Sequence, residues 1–154
     1  MSKTEHTTIE AYLNKYGKMT YSNIGTSMLP ILVQGKDLFT VQKKSKGRCR
    51  KYDVVLYRRP PHHYVLHRIL QVREKDYVIR GDNCISKEYG ITDKDIIAVM
   101  TEFVHNGKKH KVTDLDYKIY RILWCQIMAP PRIFIKKLKL KFLKTLRHFK
   151  CRSK

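Results

Sequence analysis

The spacing of apolar residues changes character twice along this chain of 154 residues. Near the start, Ile9, Tyr12 and Leu13 recur at helical spacing behind Thr8, whose hydroxyl can accept from a free N–H of a first turn. This predicts a short helix over residues 7–15. From Met19 to about Val112 the apolar residues instead form short runs of Val, Ile, Leu, Tyr and Phe cut by Gly, Pro, Asn, Asp and Lys. That pattern predicts strands at 38–41, 54–57, 64–72, 77–80 and 96–104. Asn106-Gly107 tolerates the positive φ angles of a two-residue hairpin turn and predicts a return strand at 109–112. Beyond Asp114 the spacing returns to three and four. It predicts a helix over 114–128 and a second over 132–150, separated by a break at Pro130-Pro131. The expected architecture is mainly β: a helix and lead-in at 1–18, a strand-built domain at 19–113 and a helical tail at 114–154.

Alternation along the strand at 64–72 sorts its side chains. Tyr64, Leu66 and Arg68 face one way, while His63, Val65, His67 and Ile69 face the other. His67 thus has an apolar neighbour on each side of its own face, a setting suited to a semi-buried base.

Charge changes the picture of the tail. The net charge is +20, and residues 118–154 carry twelve of the 33 Lys and Arg with no acidic residue among them. Within 132–150, Ile135, Leu138, Phe142, Leu146 and Phe149 form one stripe, and Lys136, Lys137, Lys139, Lys141, Lys144 and Arg147 take the other faces. A basic amphipathic helix of this kind suits an anionic membrane surface. The interleaved apolar residues and the lack of a nucleic-acid motif argue against nucleic acid as the partner. The longest apolar run, 122–129, falls far short of the roughly 20 residues a helical span needs. The first ten residues are polar, so neither a leader nor an anchor is expected at that end. Cys49, Cys84, Cys125 and Cys151 show no Cys-x-x-Cys spacing and are read as free thiols. His62, His63 and His67 lack a recognised metal-ligand spacing, and neither metal nor organic cofactor is expected.

Candidate chemistry lies in Ser27, His67, Asp82 and Glu88. A serine hydroxyl needs a neighbouring base, and a largely neutral histidine can serve, oriented by a carboxylate. A carboxylate beside the ring favours imidazolium and would move its midpoint upward. The segments Gly25-Thr26-Ser27-Met28-Leu29-Pro30-Ile31-Leu32, Tyr52-Asp53-Val54-Val55-Leu56-Tyr57, Leu66-His67-Arg68-Ile69 and Gly81-Asp82-Asn83 resemble, in that order, the boxes of the signal peptidase and SOS-repressor superfamily of serine peptidases. The likeness covers roughly residues 20–113, and His67 in the base position makes it a likeness to the histidine-base, endoplasmic-reticulum-type branch.

That resemblance implies a coiled antiparallel β-sheet catalytic domain in which Ser27 is the nucleophile and His67 the base. An ungapped count of six residues beyond Asp82 lands on Glu88 as the acid, with Asp82 kept as the other candidate. Gly25 stands where signal peptidases usually carry an oxyanion-binding serine, which leaves the Ser27 N–H, with the Thr26 hydroxyl as helper, to bind the oxyanion. An extended peptide would add as a strand beside 21–27 and 64–66, touching Met28, Tyr64, Val65 and Leu66. The expected substrate is a leader or signal-like peptide cut in the cytoplasm, with the enzyme peripheral at the inner membrane face. The alternative is a catalytically inactive peptide- or membrane-binding module that retains the fold.

Overall fold

A computed structural model describes residues 8–61 and 63–152, with side chains through Lys144. Thr7 and His62, and the side chains of Leu146, Arg147, Phe149 and Cys151, lie outside the described residues.

The leading helix, α1 (Ile9–Tyr16), forms as its caps dictate. The Thr8 hydroxyl accepts from the Ala11 N–H at 3.1 Å, and Gly17, at φ 72°, ends the helix by donating to the Leu13 carbonyl. Eight strands follow: β1 (Lys18–Ser22), β2 (Leu38–Lys43), β3 (Val54–Arg59), β4 (His63–Val72), β5 (Tyr77–Arg80), β6 (Glu88–Ile91), β7 (Ile96–His105) and β8 (Lys108–Lys111). They make one antiparallel sheet in the order β1-β2-β7-β3-β4-β5-β6, with β8 paired to β7. Asn106 and Gly107 both have positive φ, as a primed hairpin turn requires. The apolar pattern misses β1 and β6 because neither hides a side-chain face: their residues are exposed or half-buried, and backbone pairing alone defines them.

Alternation along β3 divides the interior in two. Val54 and Leu56 face a core that includes Leu13, Met28, Leu32, Val41, Met100 and Tyr117, whereas Val55 and Tyr57 face Ile69, Tyr77 and Ile79. The first core lies against α1, the loop after β1 and the next helix, α2 (Leu115–Leu123).

The C-terminal segment departs from expectation in two ways. No break occurs at Pro130-Pro131: α2 runs through a π-helical turn (Trp124–Met128) into α3 (Ala129–Arg152). The π-helical turn, in which the Ala129 N–H donates to the Trp124 carbonyl five residues back, stands immediately before the two prolines, where the regular α-helical ladder would lose their N–H groups. Nor is residue 114 the start of a separate appendage, since Tyr117, Trp124 and Ala129 are buried.

Tyr117 is held there by an arginine. Arg68 of β4 is fully buried, and its Nε and Nη2 donate to the two oxygens of Asp82 at 2.7 and 2.6 Å. Nη1 donates to the Tyr52 carbonyl at 3.1 Å and to the Tyr117 hydroxyl at 3.0 Å. The arrangement joins β4, the turn before β3, the loop after β5 and α2, with every guanidinium nitrogen paired.

Asp82→Asn leaves a buried guanidinium without its counter-charge, so it should cost about 3–5 kcal/mol of stability. Urea denaturation measures this, and a loss under about 1 kcal/mol would show that the pair does not sustain the fold.

Candidate active site

The loop that carries Ser27 is clamped at its base. Asn23, buried just after β1, donates from Nδ2 to the carbonyls of Gly25 at 3.0 Å and Leu32 at 3.2 Å. Gly25 takes φ 89°, a left-handed conformation that side chains resist, so the turn into Ser27 favours glycine there. At the far end, the buried Asp37 carboxylate accepts from the Val33 N–H at 2.7 Å and pairs with His105 Nδ1 at 2.7 Å. Met28, expected to touch substrate, is instead fully buried in the first core, where it anchors the loop. Leu66 is likewise a core residue, whereas Tyr64 and Val65 remain half-buried.

The Gly81-Asp82-Asn83 segment packs directly on this loop. Asn83 donates from its N–H to the Ser27 carbonyl at 2.8 Å and from Nδ2 to the exposed Thr26 carbonyl at 3.0 Å. Because a trans peptide sets N–H opposite C=O, the Ser27 N–H points away from the Asn83 amide. Gly81 is where the elements meet. A Cβ on it would lie 2.7 Å from the Ser27 carbonyl oxygen, 2.8 Å from His67 Nε2 and 2.8 Å from Cys84 Sγ. The Ser27 backbone carbonyl and the Nε2 edge of His67 therefore border the same small space, which only a residue without a side chain leaves open.

The other edge of the His67 ring is held by Glu88. Nδ1 lies 3.0 Å from Glu88 Oε1 and 3.2 Å from the Tyr57 hydroxyl. A proton on Nδ1 would face these oxygens and leave the Nε2 lone pair directed at Gly81. Arg59 in turn grips both oxygens of Glu88, with Nε donating to Oε2 at 3.0 Å and Nη2 to Oε1. Of the two carboxylates the sequence offers for orienting His67, the structure brings Glu88 to the ring and commits Asp82 to Arg68.

Two opposing effects set the protonation of this cluster. Burial pushes the His67 midpoint down, the Glu88 charge pulls it up, and the Arg59 charge pushes it down again, with a net shift below the ordinary histidine value. The upward shift expected from an adjacent carboxylate is thus reversed, because the ring is 5 % exposed and its carboxylate is itself shared with an arginine. Burial also opposes ionisation of Glu88, but hydrogen bonds from Tyr57 and Arg59 outweigh it and hold the carboxyl below its usual range. Desolvation raises the Cys84 thiol, so it stays protonated at neutral pH.

Sequence reading did not single out Tyr57, Arg59 or the packing role of Gly81. Parity was the available signal for Tyr57: Val55 pairs with His67 across β3 and β4, so Tyr57, two residues on, shares the histidine's face. Nothing local marks Arg59.

Two backbone edges lack a partner strand among the described residues. β1 pairs on one side only, with β2. β3 pairs with β4 along His63 to Arg68, whereas β5 meets β4 only from Arg68 onward, so no described strand pairs with the second edge of residues 63–67.

Comparison with protein-family models, with curated proteins and with solved structures finds no match. For metal binding, His110, Asp114 and Asp116 bring ligand atoms within 4.8 Å of one another at the surface, remote in sequence from His67, while His63 is exposed at the start of β4.

The imidazole of His67 should titrate below its ordinary value of about 6.5 in the wild type. Glu88→Gln should lower it further, because the group that most favours imidazolium becomes neutral. Histidine NMR titration measures both, and a higher midpoint in Glu88→Gln would contradict this ordering of effects.

Proposed function

We propose that the protein is a serine endopeptidase of the signal-peptidase-like type, with Ser27 as nucleophile, His67 as base and Glu88 as the carboxylate that orients the imidazole. The observation that carries this reading is the contact of 3.0 Å between Glu88 Oε1 and His67 Nδ1, on a ring whose Nε2 lies against the Ser27 loop. An acceptor nitrogen on that edge can take the Ser27 proton as the hydroxyl attacks a peptide carbonyl, and can return it to the leaving amine. Glu88 stabilises the imidazolium formed in between. The Ser27 N–H, turned away from Asn83, is free of that amide and is the proposed oxyanion donor, with the Thr26 hydroxyl beside it.

The open edge of residues 63–67 supports binding of an extended leader or signal-like peptide, whose main chain would pair beside Tyr64, Val65 and Leu66. Affinity would come from backbone hydrogen bonds. Selectivity would come from half-buried side chains such as Tyr64 and Val65.

We also propose that α3 attaches the protein to anionic membrane surfaces. Ile135, Leu138 and Phe142 are 51, 58 and 64 % exposed, so this stripe is not folded back onto the sheet, and lysines flank it. Among the described residues no helix is long and apolar enough to cross a membrane. Attachment would therefore lie in the interface plane.

A fluorophosphonate probe should label the wild type at Ser27, and Ser27→Ala should lose both labelling and peptide cleavage while keeping its melting temperature. Full activity in a folded Ser27→Ala protein would end the peptidase reading. Compared at equal folded fraction, Glu88→Gln should slow cleavage by about 10²–10⁴-fold and Asp82→Asn by much less, since only the former frees the imidazole. The wild-type rate should rise with pH through a midpoint below the ordinary histidine value, as His67 must be neutral to act. A rise only above about pH 9 would assign the base to a lysine.

For the tail, replacing Ile135, Leu138 and Phe142 together by Gln should weaken co-sedimentation with phosphatidylserine vesicles by about tenfold or more, with a nucleic-acid competitor present. The three side chains are exposed, so the fold is undisturbed. Undiminished binding would remove the apolar stripe from the account, and equal binding to neutral vesicles would remove the charge.

A further inference from the structure

Arg80 stands opposite Arg68 on neighbouring strands, and the two side chains therefore share a face of the sheet. Asp82 gives both of its oxygens to Arg68, and no carboxylate among the described residues pairs with Arg80. Arg80 is 9 % exposed, and its Nε has no hydrogen-bond partner among the described residues. That Nε is left unsatisfied, a deficit that an anion from outside the chain would relieve.

The space beside it is shaped to admit one. A cleft of about 620 Å³ opens between the β4–β5 end of the sheet and the start of α3, lined by Arg80 with Lys51, Lys87 and Lys137 and by the apolar Ile85 and Ile133. No Asp or Glu lines it. We propose that this cleft binds a phosphate-bearing anion, with Arg80 at its inner end and the three lysines around its mouth.

Phosphate fits better than a simple carboxylate because its several oxygens can be shared between a planar guanidinium and more than one ammonium group. The cleft is far larger than a phosphate, and its apolar wall leaves room for the organic part of an ester. A lipid headgroup and a soluble phosphate ester share this chemistry.

Position gives the site a consequence. Lys136, next to Lys137 of the cleft, donates from Nζ to the Asn83 carbonyl at 2.9 Å and to Asn83 Oδ1 at 2.5 Å. An anion bridging Arg80 and Lys137 would fasten α3 where it already holds the Asn83 loop against Ser27. The inference does not depend on Ser27 acting as a nucleophile.

The test uses the full-length protein at constant ionic strength. Calorimetric titration with inorganic phosphate and with glycerol 3-phosphate is set beside co-sedimentation with phosphatidic acid in neutral vesicles. Saturable binding in a soluble arm identifies a free phosphate or its ester, and binding to the vesicles alone that persists when Ile135, Leu138 and Phe142 are replaced by Gln identifies a headgroup. Vesicle binding lost in that variant belongs to the α3 stripe and counts against the cleft. In whichever arm binds, Arg80→Gln and the exposed pair Lys87→Gln/Lys137→Gln should each weaken affinity by about tenfold. Lys36→Gln/Lys75→Gln removes the same charge at exposed positions outside both the cleft and α3, and should change it by less than about twofold. The lysine variants keep the test decisive should Arg80→Gln fail to fold. No saturable binding in any arm, or equal loss in the two lysine variants, would overturn the proposal.

Discussion

The buried pairing of Arg68 with Asp82 is the interaction on which the rest of the arrangement depends. A guanidinium placed at the centre of a small domain must find partners for its nitrogens, and it finds them on three separate pieces of chain. Asp82 brings the loop after β5 against β4, and the Tyr117 hydroxyl brings α2 over the first core. With Asp82 fixed, its neighbours Gly81 and Asn83 are fixed too, and through them the Ser27 loop meets His67. A single charge pair thus sets the distance between residues forty positions apart in the chain.

Around His67 the decisive matter is competition between burial and charge. The ring sits among apolar neighbours that disfavour imidazolium, while Glu88 favours it less strongly than a free carboxylate would because Arg59 shares its charge. The result is an imidazole held neutral over the physiological range and oriented from its Nδ1 side. Such a group is a ready acceptor of one proton, which suits the proposed chemistry. The same Arg59 keeps Glu88 ionised despite its burial.

The C-terminal helices join these features to the surface. Tyr117 and Trp124 are core residues, and Lys136 reaches the Asn83 loop, so the segment that exposes an apolar stripe also touches the loop that supports Ser27. Binding at the cleft beneath α3 and attachment at its exposed stripe would act on the same helix. Whatever fixes α3 bears on the spacing of Asn83 and Ser27.

Local periodicity was enough to place most elements of this protein. Strands that hide one face show alternation, the Asn106-Gly107 turn declares itself by its backbone needs, and the mainly antiparallel β architecture follows. β1 and β6 stayed invisible because an edge strand with no buried face is defined by pairing alone, and the π-helical passage into α3 was hidden by prolines that read as a break. Ser27, His67 and the two acids were legible as residue types at recognisable spacings, but their roles were not. Which carboxylate meets the imidazole, which meets Arg68, and whether burial or charge governs the histidine are questions of distance between chain segments. Only the packing of the loop after β5 against β4 decided them, because electrostatic interactions depend on separation and on exclusion of water, and neither is written in local sequence.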